Sequence, residues 1–284
     1  MNALSLYRIA SLLAPLLPRR AAYGIARLAS GVAYRRNHAV REVLASNLRI
    51  VLHHRGTAAT EAEIERIARR TFVNFGKYLV DFFQIGNCSD KTLDKWIRIE
   101  HAIYLEECRA MSKGIIGLTA HIGNWELGTN VLAMGGHPVN AIVMQQSSMG
   151  LDALFQSRRI RRGLRILPMS GAATAVPACL ERNELIVLLA DMDFTRRTHR
   201  AMLFGKPARL PRGPAVLAAR HGAPILPGFV LRQEDDTFRF RFYPPILGGD
   251  TASVDTIQQR ICAVLEDVIA DHPDQWFAFK PLWE

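Results

Sequence analysis

His121 and Glu126 stand five residues apart in Thr119-Ala120-His121-Ile122-Gly123-Asn124-Trp125-Glu126-Leu127-Gly128. An imidazole that titrates near neutral pH, supported by a carboxylate, has the makings of a general base. Such a base suits a hydroxyl that must lose its proton as it attacks an acyl thioester. Glu126 would hold the other ring nitrogen, fix the tautomer and stabilise the imidazolium. The spacing alone is weak: nine histidines give about one His-x4-Asp/Glu match by chance. A second match, His101…Glu106, is indeed present. It falls in Glu100-His101-Ala102-Ile103-Tyr104-Leu105-Glu106-Glu107, a charged amphipathic pattern with no strand before it, and reads as a solvated helix face. The bland alternative for His121 is a satisfied histidine at a strand end, with Glu126 a favourable first-turn helix charge.

Context separates the two pairs. Ile115-Ile116-Gly117-Leu118 is short, branched and Gly-bounded, which predicts a buried strand leading into His121. Trp125 to Met134 reads as a helix, with Asn124 as N-cap and Gly135-Gly136 as the stop. His121 is therefore expected at the carboxyl end of a strand, where open α/β sheets place their chemistry. Further strands are expected at Val139–Met144, Leu164–Leu167, Leu185–Ala190, Ile225–Leu231 and Phe238–Tyr243, the last as an edge hairpin. Helices are expected at Arg41–Leu52, Glu61–Phe83 (Thr60 and Glu63 forming a capping box), Leu151–Arg162, Ala172–Arg182, Gly213–His221 and Val254–Ala270. Strands alternating with helices predict an α/β fold, a mostly parallel central sheet with helices on both faces. Residues 1–87 read as a helical, membrane-interfacial region and 88–284 as the α/β core, or the whole as one continuous domain. No G-x-G-x-x-G, Walker A or G-x-S-x-G motif occurs, which disfavours dinucleotide, P-loop and α/β-hydrolase enzymes.

Other residues invite chemistry more weakly. Asp191 and Asp193 follow the strongest strand, where acids are costly unless they bind something; a metal is one option, though nearby His199 sits on a basic loop. Arg158-Arg159-Ile160-Arg161-Arg162-Gly163-Leu164-Arg165 places five guanidiniums in eight residues, a surface for phosphate, acidic protein or nucleic acid, or simply a solvated face. Leu210-Pro211-Arg212-Gly213-Pro214 opens a helix and has the form of an anion site. Cys88, Cys108, Cys179 and Cys262 show no CxxC pairing, which fits buried free thiols better than zinc or disulfides. The net charge of +10 points to anionic membrane, nucleic acid or an acidic protein partner. Residues 1–41 hold seven arginines and no acid, interleaved with leucines and broken by Pro15 and Pro18. That is too interrupted for a membrane span and lacks the marks of a signal peptide; an interfacial helix pair on anionic lipid fits better.

Taken in order, these pieces resemble the bacterial lipid A late acyltransferases, the lauroyl/myristoyl acyltransferases of lysophospholipid-acyltransferase (glycerolipid acyltransferase-like) fold. The likeness runs from Asn47-Leu48 and Thr71-Phe72…Asn74-Phe75-Gly76 through His121-Ile122-Gly123-Asn124-Trp125-Glu126, Arg159…Gly163 and Asp191. It closes with Leu203-Phe204-Gly205-Lys206-Pro207-Ala208 and Gly213-Pro214-Ala215-Val216-Leu217-Ala218. The resemblance implies transfer of a fatty acyl chain from acyl carrier protein to a glycolipid hydroxyl at the cytoplasmic face of the cell inner membrane. It implies His121 and Glu126 as the dyad, Arg159 at the oxyanion, and Asn47, Asp191, Arg212 and Gly213 on the substrate side. Partners would be acyl carrier protein, anionic inner-membrane lipids and the lipid acceptor, with no nucleic acid. No cofactor or metal would be needed, since the acyl carrier protein thioester is already activated. Two departures stand out: Met144-Gln145-Gln146 where the family usually has Tyr-Arg-Pro, and Asp191-Met192 where it has Asp-Gln. The ending Trp276-Phe277-Ala278-Phe279-Lys280 also lacks the usual basic close. The first departure removes a cation where a phosphorylated sugar docks, so an acceptor other than lipid A is a live alternative.

Overall fold

The computed structural model describes residues 3–54, 56, 59–143, 149–160, 164–193, 199–248 and 253–283. The chain begins with four helices, α1 (Ala3–Leu13), α2 (Arg19–Arg36), α3 (His38–His54) and α4 (Glu61–Ile85). It continues through α5 (Asp90–Trp96), β1 (Ile97–Glu100), α6 (Ile103–Ala110), β2 (Ile115–Thr119), α7 (Trp125–Met134) and β3 (Val139–Val143). Then come α8 (Met149–Ile160), β4 (Arg165–Pro168), α9 (Ala172–Glu181) and β5 (Leu185–Leu189). A small hairpin, β6 (Arg200–Leu203) and β7 (Lys206–Arg209), precedes α10 (Gly213–His221), β8 (Ile225–Arg232), β9 (Phe238–Phe242) and α11 (Val254–Asp271).

Among the described residues, seven strands form the central sheet in the order β1-β9-β8-β2-β5-β3-β4. β8, β2, β5, β3 and β4 run parallel; β9 is antiparallel to β8, and β1 is parallel to β9. Side-chain alternation divides the strands between two cores. Ile116, Leu118, Ile186, Ile225 and Phe229 pack with α9, α10 and α11 on one face. Ile115, Leu185, Val187, Leu226 and Val230 pack with α6 and α7 on the other. Both faces are covered, as a largely parallel sheet requires.

The strand β1 corrects the expectation that nothing extended precedes His101. Ile-Arg-Ile-Glu is four residues long and half exposed, too short and too polar to register as a hydrophobic run. It occupies the edge, so β9, expected there, is the second strand in. Because β9 and β1 run against the other strands, His101 emerges at the opposite end of the sheet from His121. It is exposed, as its reading as a solvated residue requires.

α4 crosses the carboxyl ends of the parallel strands. Its N-terminus is capped by Thr60, whose side chain accepts from the Glu63 N–H. Asp81, without solvent exposure, accepts from Arg19 Nε at 3.1 Å, the Tyr23 hydroxyl at 2.5 Å and Arg232 Nη2 at 2.5 Å. A buried carboxylate is tolerated only when paired in this way. The cluster fastens α2 to α4 and to the end of β8.

Candidate active site

Parallel register builds the centre of the site. Thr119 of β2 lies opposite Leu189 of β5, so two residues beyond each strand His121 meets Asp191. Oδ1 of Asp191 accepts from His121 Nδ1 at 2.9 Å and from the His121 backbone N–H at 3.1 Å. Oδ2 accepts from Trp276 Nε1 at 2.9 Å. Asp191 has no exposed surface, whereas a quarter (25%) of the His121 side chain is exposed. Burial by itself would raise the Asp191 pKa. The His121 charge and the hydrogen bonds from His121 and Trp276 outweigh it, and the carboxyl is held below its usual range. A carboxylate only accepts, so Nδ1 carries a proton, and in the neutral form of the ring the lone pair belongs to Nε2.

Gly123 makes the turn from strand to helix possible. Its φ is +60° and a Cβ there would run into the Val230 carbonyl, which leaves glycine as the residue that fits. That close approach lets the Asn124 N–H reach Val230 O at 2.8 Å, while the Asn124 side chain caps α7 by accepting from Leu127 N. Trp125 then stands edge-on to the imidazole, ring centres 5.3 Å apart, and stacks on Tyr78 of α4 at 4.5 Å.

The C-terminal segment completes the wall. Phe277 N–H donates to His121 O at 2.7 Å and Gly123 N–H to Gln275 O at 3.0 Å. Asn47, expected on the substrate side, is buried and gives its amide to the carbonyls of Ala278 and Lys280, both at 2.9 Å. It clasps the segment that holds His121.

The carboxylate bonded to Nδ1 is thus Asp191, which the sequence reading placed on the substrate side while naming Glu126 as the support of the ring. Glu126 is buried in the first turn of α7, where its carbonyl accepts from Thr129 and Asn130. Arg212 and Gly213 begin α10, and the Arg212 guanidinium turns to Asp255 of α11 at 2.7 Å. Arg159 belongs to α8, but its side chain lies outside the described residues, as do residues 144–146 and 161–163; Arg165 pairs with Glu184 at 3.1 Å. Tyr78 went unread in the sequence, and Trp276 was read only as part of an ending that departs from the family's. The partner of His121 did leave a trace: two buried strands end alike, in Thr119-Ala120-His121 and Leu189-Ala190-Asp191.

The arrangement can take a proton from a hydroxyl and return it to a leaving group. Over residues 2–284 the chain matches the family model described as bacterial lipid A biosynthesis acyltransferase. It is similar to the phosphatidylinositol mannoside acyltransferase of Mycobacterium tuberculosis, 26% identical over 262 residues, which cover 89% of this chain and 80% of that protein. It is also similar to the phosphatidylinositol mannoside acyltransferase of Mycolicibacterium smegmatis, 25% identical over 223 residues, which cover 76% and 72% of the two chains. The His121–Asp191 pair at the carboxyl ends of the central strands is in keeping with the match along nearly the whole length, and that match leads to one conclusion: the chain belongs to the bacterial lipid A biosynthesis acyltransferase family.

Proposed function

We propose that this protein is an O-acyltransferase that moves a fatty acyl chain from acyl carrier protein to a hydroxyl of a glycosylated membrane lipid. The observation carrying the reading is the His121–Asp191 pair, a quarter-exposed imidazole backed by a buried carboxylate. Nε2 accepts the proton of the acceptor hydroxyl as its oxygen attacks the thioester carbon. The tetrahedral intermediate then collapses, the carbon–sulfur bond breaks, and the imidazolium returns the proton to the departing thiolate. Asp191 stabilises the imidazolium between the two steps. The Arg158–Arg165 run supports an acidic protein donor. The names of the relatives favour a glycosylated phospholipid over lipid A as acceptor, in keeping with Gln145 and Gln146 where the family has Arg-Pro.

A position at the cytoplasmic face of the inner membrane is part of the proposal. No helix among the described residues is long and apolar enough to cross a membrane. Ile9, Leu12, Leu13, Leu16, Ile25, Leu28 and Val32 are nonetheless exposed on α1, α2 and their connection, which supports an interfacial helix pair. From the Trp125–Tyr78 stack a row of rings, Phe82, Phe155 and Tyr7, runs back to α1, an apolar surface between the lipid-facing helices and His121.

The test is product mass spectrometry with acyl carrier protein and coenzyme A thioesters against a panel of glycolipid acceptors. His121→Ala is expected to lose about a thousandfold or more of the transfer, and His101→Ala to match the natural protein. Near-normal transfer by His121→Ala overturns the reading.

A further inference from the structure

Both oxygens of Asp191 are engaged, and the donor on Oδ2 comes from a distant part of the chain. Trp276 is fully buried, and its indole offers one N–H and no acceptor. It is held on both sides of that bond. Its backbone bridges Ile122, its neighbours Gln275 and Phe277 bond to Gly123 and His121, and Trp283 meets its ring at 6.1 Å. A residue that only filled the core would need the ring alone. Here the polar edge of the ring is aimed at the carboxylate that holds the base.

We propose that Trp276 is a positioning residue for acyl transfer: its indole N–H anchors Oδ2 of Asp191, which turns Oδ1 onto Nδ1 of His121 and assigns proton transfer to Nε2. The inference rests on the acyl-transfer reading of His121. A carboxylate bonded at one oxygen can rotate about Cβ–Cγ; a second donor on the other oxygen stops it, and a stopped carboxylate holds one imidazole tautomer. The same bond draws charge from Asp191 and helps keep it ionised without water. Other titratable or charged groups on the surrounding elements are Glu126 on α7, Tyr78 and Asp81 on α4, Arg232 at the end of β8, and Asp193 beyond β5. A change confined to the Trp276 N–H alters none of them.

Two replacements separate N–H from shape. Trp276→Phe removes the donor but leaves space in the core. Incorporation of β-(3-benzothienyl)alanine at position 276 keeps the bicyclic outline, with sulfur in place of N–H. The readouts are the tautomer of the His121 ring from its nitrogen-15 shifts, which needs no turnover, and the pH profiles of kcat and kcat/KM. In the benzothienyl protein we expect the Nδ1–H tautomer to lose population and kcat to fall about tenfold or more, with KM little changed. The acid limb of kcat/KM should move to higher pH, because a carboxylate that has lost one donor keeps more of its charge for the imidazolium it faces. An unchanged tautomer and an unchanged acid limb in that protein overturn the proposal, whatever the stability of Trp276→Phe. A shifted tautomer in a protein whose natural form transfers no acyl group from any thioester overturns the parent reading instead, so the two failures are distinct.

Discussion

At the scale of single residues, the site depends on Asp191 more than on its neighbours. Asp191→Asn offers one oxygen and one NH2 to three N–H donors, so at least one donor is left facing a donor. We expect kcat to fall about a hundredfold to ten-thousandfold, as measured by steady-state transfer with saturating acceptor. Stability should follow the sign of the carboxyl's shift. Asp191 is held below its usual range in the folded protein. Its contribution is therefore fully present above the unfolded value of about 3.9 and is lost as pH falls through the lower folded value. Urea unfolding should find Asp191→Asn less stable than the natural protein at pH 7, with the gap narrowing below about pH 4. A gap that widens in acid would contradict this account. Glu184 behaves in the same sense. The Arg182 hydrogen bond leads the effects that pull its pKa to about 2, so its contribution too is lost in acid.

At the scale of elements, most of the architecture was legible in the chain. The helix at Trp125–Met134, its Asn124 cap and its Gly135 stop follow from local chemistry that acts within a few residues, and all appear in the structure. Edges and long-range partners were not legible. Ile97–Glu100 is too short to show a period, and its role as the edge is set by β9, far along the sequence. The pairing of His121 with Asp191 is a matter of strand register, and register is decided by which strands become neighbours. Glu126 was the nearest acid in sequence, whereas the parallel ladder made Asp191 the nearest at Nδ1. Asn47 shows the same limit: its spacing within a helix says nothing of the C-terminal carbonyls it meets. The two views of Asn47 differ in an experiment. A substrate contact predicts a higher KM with an unchanged melting temperature. A clasp on Ala278 and Lys280 predicts that Asn47→Ala strands two carbonyls and costs about 2–4 kcal/mol. It should also lower kcat, because the loosened segment carries Trp276 and the Phe277 bond to His121. Calorimetry and steady-state kinetics on the one variant decide between them.

At the scale of the whole molecule, charge and exposed apolar surface point the same way. The chain carries a net +10. Of the thirteen large hydrophobic residues exposed among the described ones, seven lie between Ile9 and Val32. A random scatter of exposed side chains needs no explanation, but a concentration on two adjoining helices does. On α2, Ile25, Leu28 and Val32 share one side, while Ala22, Tyr23, Ala26 and Ser30 are buried on another and Arg20, Arg27 and Arg35 flank the apolar side. That is the order of an interfacial helix: core contact, basic flank, lipid-facing stripe. Moving one leucine side chain from water into hydrocarbon is worth up to about 2 kcal/mol. Leu12→Ser, Leu16→Ser and Leu28→Ser together should therefore weaken binding to anionic vesicles by at least about a hundredfold. Salt should weaken the natural protein through the arginines and leave the apolar part in place. Co-sedimentation with phosphatidylglycerol-containing vesicles across a salt series measures both contributions. On the proposed function, transfer to a vesicle-borne acceptor should decline in step with binding. Undiminished vesicle binding by the triple variant would remove these helices from the lipid contact and require another face of the molecule to meet the acceptor.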